Sequence, residues 1–183
     1  MSELSAAEAV ELLVDPKRRY PATYIELAPK SAGLYVWWAR LSTVFGVHGT
    51  RMGEAYVYYV GKASTSAGLR GRLNVHAKGS AKSSTLRLTL AALGVGTGDV
   101  ARSGESRIAL SASYEAEVSA WIQANMDVSW VEVDAPAAIE REVVAELRPP
   151  LNLDVGAAHA DHARVKDARN AMRAVALGWP ARG

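Results

Sequence analysis

The spacing of apolar residues changes period several times along the chain, and each change predicts an element. Residues 6–14 are good helix formers that stop at Asp15-Pro16, and Ser5 and Glu8 have capping-box spacing, so a short packing helix opens the fold. At 33–39 the period falls to two, with Leu34, Val36 and Trp38 on one face and Tyr35 and Trp37 on the other, which predicts a strand. Residues 56–60 predict a second strand. The intervening 41–54 holds three glycines and little periodicity, as an extended hairpin loop would.

Helical spacing returns over 69–78 and 84–93. The second of these carries Leu86, Leu90 and Leu93 four and three apart before Gly94, Gly96 and Gly98 end it. A short strand is expected at 106–110, then a helix capped by Ser113 and running to 125 with Val118, Trp121 and Ile122 on its buried side. Alternation at 128–133 predicts a further strand. Residues 136–147 predict a helix whose Ile139, Val143 and Leu147 share a face until Pro149-Pro150 blocks its continuation. The alanine-rich stretch 154–183, basic at Arg164, Lys166, Arg169 and Arg173, suits an exposed helix with a solvated face.

With 183 residues, 49% of them apolar, the chain can bury one sizeable core, so 1–183 is read as a single domain with terminal additions. The absence of cysteine excludes disulfides, thiolate metal sites and cysteine nucleophiles. No apolar run is long enough to span a bilayer, and the first residues lack a basic region followed by a hydrophobic one, so a soluble cytoplasmic protein is expected. The net charge is only +2, but residues 51–90 hold seven basic side chains against Glu54 alone, a local +6. Such a block suits either an ordinary solvated face or a polyanion-binding one. Within it Arg70, Lys78, Lys82 and Arg87 are the candidate nucleic-acid contacts. His159 and His162, three apart, lack a third nearby ligand and are not read as a metal site.

Several residues could carry chemistry, and each has a plain alternative. Tyr35 and Tyr59 read individually as half-buried strand tyrosines, and Gly61-Lys62 as a strand exit that projects a cation. Arg72 and His76 are four apart on one helix, on a polar face from which both could reach one phosphate. Glu140 falls in the first turns of its helix, where the dipole favours the ionised carboxylate that a hard cation needs. Asn152 alone reads as a turn residue.

Taken in order, these residues resemble the GIY-YIG nuclease family. Gly33-Leu34-Tyr35 is similar to its Gly-Ile-Tyr, and Tyr59-Val60-Gly61 to its Tyr-Ile-Gly, followed by Lys62-Ala63. Arg72 falls on the family's catalytic arginine and His76 where a histidine or tyrosine often stands. Glu140 leads through 147–151 to Asn152, twelve residues on, as the family's metal-binding glutamate leads to its asparagine. Two departures stand out: Tyr35 and Tyr59 are 24 positions apart, a lengthened hairpin, and 77–127 is a long insert.

The resemblance implies an α+β fold, with a small central, mostly antiparallel three-stranded sheet flanked by helices and extra helices in the insert and at both termini. The core would span 31–154 and a C-terminal helical extension 155–183. It further implies a DNA endonuclease that leaves 5′-phosphate and 3′-hydroxyl ends, with Mg²⁺ or Mn²⁺ held by Glu140. Tyr35 would be the general base or water positioner, and Tyr59 would bind the water or phosphate. Lys62 would help Tyr35 electrostatically, and Arg72 and His76 would bind the phosphate or nucleophile, with Asn152 orienting the site. DNA would be the partner, with a second copy of the chain for cutting both strands. A role in restriction or phage defence is the leading expectation. A repair or structure-directed nuclease, or a silent DNA-binding module of the same fold, are the alternatives.

Overall fold

A computed structural model describes residues 4–64, 66–103, 107–153 and 159–178. The capping box at Ser5 forms as the spacing predicts, with the Glu8 carboxylate accepting from the Ser5 amide at 2.9 Å, and it opens α1 (Ala6–Val14). Two strands then dominate the centre: β2 (Gly33–Ala39), buried on both faces, and β6 (Ala55–Ala63). They pair antiparallel, and β9 (Met126–Glu132) pairs with the other edge of β2. The short β1 (Tyr20–Pro21) and β5 (Thr50–Met52) extend this to five strands in the order β1-β9-β2-β6-β5, not the three expected. Segments of two or three residues carry no readable period, which is why the sequence conceals them. The expected loop at 41–54 is likewise structured, holding a hairpin of β3 (Thr43–Val44) and β4 (Val47–His48) as well as β5.

The sheet divides two cores. Leu34, Val36 and Trp38 face Val57, Val60 and Val131, covered by α1 and by α5 (Pro136–Leu147). On the opposite face Tyr35 and Trp37 meet α2 (Gly68–Lys78), α3 (Thr85–Ala92) and α4 (Ala112–Asn125). A β-bulge breaks the register between these layers. Trp37 pairs with Tyr59 but Trp38 with Val57, so Tyr58 is an extra residue and both tyrosines join the Tyr35 side.

The insert is not wholly helical. Besides α3 and α4 it contains a hairpin of β7 (Val100–Ser103) and β8 (Arg107–Leu110); of the strand expected at 106–110, Ser106 lies outside the described residues. Ser111, not Ser113, caps α4, accepting from the Tyr114 amide at 3.4 Å. The C-terminal helix is α6 (His162–Ala176), while 154–158 and 179–183 fall outside the described residues. α6 is not wholly solvated: it packs on α3 and β7 and buries Val165 completely. Among the described residues no helix is long and apolar enough to cross a membrane.

Candidate active site

The ends of β2 and β6 and the start of α5 enclose an open cleft of about 730 Å³. Tyr35, Tyr59, Lys62, Arg72 and Glu140 all line it, brought from four elements to one place. Gly61 makes this possible. It lies opposite Tyr35 across the β2–β6 pair, and a β-carbon there would overlap the Tyr35 hydroxyl and ring, so the strand must carry glycine for the tyrosine to lie over it.

Tyr35 sits at the hub. Its hydroxyl lies 2.7 Å from Nε2 of His76 and accepts from Nε of Arg72 at 3.3 Å. Burial pushes its pKa far above the usual value, as does the charge of Tyr59; the Arg72 guanidinium works the other way. Burial also raises Tyr59, against the pull of Arg72 and Arg169. Arg72 is fixed from behind by a 2.8 Å bond from Nη1 to the Ser83 carbonyl.

His76 stands behind Tyr35, not in the cleft, and this corrects its expected contact with phosphate. It is fully buried, with Nε2 on Tyr35 and Nδ1 2.7 Å from the Ser84 hydroxyl, so neither ring nitrogen is left for a phosphate. Burial, then the charges of Arg72 and Arg87, hold its pKa well below the ordinary value, so the imidazole is neutral. A buried chain Tyr35–His76–Ser84 results. Ser84 is the member that sequence reasoning misses. Its signal, the helix cap of α3, is legible, but nothing in the spacing links it to a histidine in the preceding helix.

Lys62 shares the cleft with Tyr35 and pairs with Glu140 at 2.6 Å, so its charge is directed at the glutamate. The Glu140 side chain is mostly buried at 16% exposure, with Asp134 also lining the cleft. Three His, Cys, Asp or Glu side chains do not gather as a metal cluster among the described residues. One carboxylate oxygen on an open cleft is nevertheless a donor set that suits a hard cation keeping most of its water, so the residues fit a Mg²⁺-like ion.

Two further residues lie away from the cleft. Asn152 does not reach the cleft. Its side chain accepts from the Val60 amide at 2.9 Å and donates to the Val60 carbonyl at 2.8 Å, clamping β6 one residue before Gly61, which makes it a positioning residue and not a catalytic one. Arg87 is wholly buried and cannot touch nucleic acid. It bonds Glu115 at 2.6 Å and caps the end of α2 through the carbonyls of His76 and Ala77 at 3.2 Å. Of the other expected contacts, Arg70 is half-buried with Nε on the Ala28 carbonyl at 2.8 Å, and Lys78 and Lys82 are exposed. His159 and His162 gather with Asp161 and His48 through local hydrogen bonds, without forming a metal cluster.

No curated protein and no solved structure significantly matches the chain. The GIY-YIG catalytic domain family matches residues 33–171, most of the chain and well into α6. Its two name-giving motifs fall on the paired strands β2 and β6 that wall the cleft, and the chain belongs to the GIY-YIG catalytic domain family.

Proposed function

We propose that this chain is a divalent-metal-dependent DNA endonuclease that hydrolyses phosphodiester bonds to 5′-phosphate and 3′-hydroxyl ends. The observation that carries this reading is the convergence of Tyr35, Tyr59, Lys62, Arg72 and Glu140 on one cleft, together with a buried hydrogen-bond acceptor behind Tyr35. Hydrolysis needs an activated water, stabilisation of charge growing on the phosphate and a way for the 3′ oxygen to leave.

Tyr35 donates its own hydrogen to Nε2 of His76 and so turns an oxygen lone pair to the attacking water, which it positions while the water's proton leaves to solvent. The neutral imidazole is the state able to accept that hydrogen bond, and Ser84 holds the ring in place. The water oxygen bonds to phosphorus as the bond to the 3′ oxygen breaks, and that oxygen takes a proton from solvent. Arg72 directs its guanidinium at the non-bridging oxygens while bracing Tyr35. Tyr59 orients the water or phosphate. Glu140 would hold the Mg²⁺ or Mn²⁺, which when bound supplies Lewis-acid stabilisation of the departing oxygen.

The cellular role we attach to this activity is restriction or phage defence, in the cytoplasm. What supports it is that Ser83 and Ser84, from the segment 77–127, brace Arg72 and His76, so that segment is built into the site and lies where DNA would pass. The fold offers no support for the second copy expected for double-strand cutting. Purified protein incubated with supercoiled plasmid and Mg²⁺ should give nicked or linear product bearing 5′-phosphates. No conversion under any divalent ion would refute the nuclease reading.

A further inference from the structure

A second concavity, of about 390 Å³, adjoins the cleft on its insert side. Its wall is built by residues 81–85 at the start of α3, with Leu88, by Arg107 and Ile108 of β8, and by Arg173 of α6. Lys82, Arg107 and Arg173 therefore converge on it from three separate elements, all exposed, and no carboxylate lines it among the described residues. Like charges gathered around a hollow repel one another, and they are relieved when a polyanion enters. The hollow is also joined to the cleft. Ser83 in its wall accepts the Nη1 bond of Arg72, so one backbone segment separates the two. α6 links them again, because Arg169 is near enough to act on Tyr59 and Arg173 lies one helical turn further along the same face.

We infer that this hollow binds a backbone phosphate of the DNA strand next to the scissile one, with Lys82, Arg107 and Arg173 as its ligands. The inference rests on the nuclease reading and extends it. α6 becomes part of the DNA-binding surface, in place of the solvated appendage its composition suggests. The insert hairpin β7–β8 acquires a purpose, that of delivering Arg107. Because the interaction is with phosphate, it positions the strand without reading its sequence.

The test is binding of the full chain to a fluorescein-labelled, mixed-sequence DNA duplex in EDTA, titrated across salt concentrations. Losing the neutralisation of one phosphate should lower the slope of log affinity against log salt by about 0.9. The double variant Arg107→Gln/Arg173→Gln should bind about tenfold more weakly at low salt and reduce that slope by about 0.9, the share of one phosphate. Arg107→Lys/Arg173→Lys should keep the slope, and should melt with the Gln variant and the parent, which separates a missing charge from a damaged fold. Lys17→Gln/Arg18→Gln removes two exposed charges from the opposite layer and should leave the slope unchanged. A Gln variant with the parental slope, or a control that falls by the same amount, overturns the phosphate site while leaving the nuclease reading intact. A parent that neither binds nor cuts DNA overturns both.

Discussion

The Tyr35 hydroxyl and Nε2 of His76 lie 2.7 Å apart, buried behind the cleft wall, with the far ring nitrogen of His76 on Ser84. A tyrosine whose pKa is pushed up by burial keeps its proton, and donating that hydrogen to the neutral imidazole leaves its oxygen lone pair to position the attacking water. Replacing His76 with phenylalanine fills the space but removes the acceptor. Turnover should fall ~10²-fold, the scale of losing one positioned hydrogen bond, with DNA affinity unchanged. Equal loss of affinity and turnover would show instead that the variant disturbs the whole cleft.

His76 also sets a pH dependence of stability. Its folded pKa is depressed below that of the unfolded chain, so below about 6.5 the unfolded state binds a proton that the folded state refuses. Its neutral form therefore supports the fold above that pH, and stability is lost as pH falls through it, with a slope of at most ~1.4 kcal/mol per pH unit for one proton. Denaturant melts across mildly acidic pH should show a shallower decline for His76→Phe than for the parent. Parallel declines would remove His76 as the cause.

Lys62 pairs with one oxygen of Glu140 at 2.6 Å, and its positive charge opposes an incoming cation there. Lys62→Met should therefore bind Mn²⁺ more tightly, read by titration calorimetry without DNA, even as cleavage slows. Weaker Mn²⁺ binding in this variant would mean that the lysine shapes the site and does not compete for it.

Gly61→Ala is expected to be disruptive in a specific way. The added methyl overlaps the Tyr35 ring, so the tyrosine or the strand must shift, at a cost of about 1–3 kcal/mol for overpacking. The thermal midpoint should fall and turnover with it. A fully active Gly61→Ala enzyme would contradict the placement of Tyr35 over β6.

The sequence discloses those parts of the molecule that have a period or a spacing. α1 and α5 have the expected ends because a capping box and two prolines punctuate them, and β2 shows its alternation directly. β1 and β5 stay hidden because two or three residues cannot establish a period. Arg87 and Lys82 look equivalent as members of one basic block. Burial separates them, since Arg87 alone has Glu115 as a partner and two helix-end carbonyls to cap. Asn152 stands out by its distance from Glu140, yet it bonds the Val60 backbone on another element, a pairing that only the folded chain creates.

The central claim, that Glu140 supports metal-dependent cutting in this cleft, is tested most directly by plasmid cleavage with three single alanine variants in Mg²⁺ and in EDTA. Glu142 and Glu146 are exposed on the same helix and serve as controls for the removal of a surface carboxylate. The parent, Glu142→Ala and Glu146→Ala should all cut in Mg²⁺ and stop in EDTA, while Glu140→Ala should not cut but should still bind DNA. Glu140→Ala cutting at the parental rate, or the parent cutting undiminished in EDTA, would contradict the account.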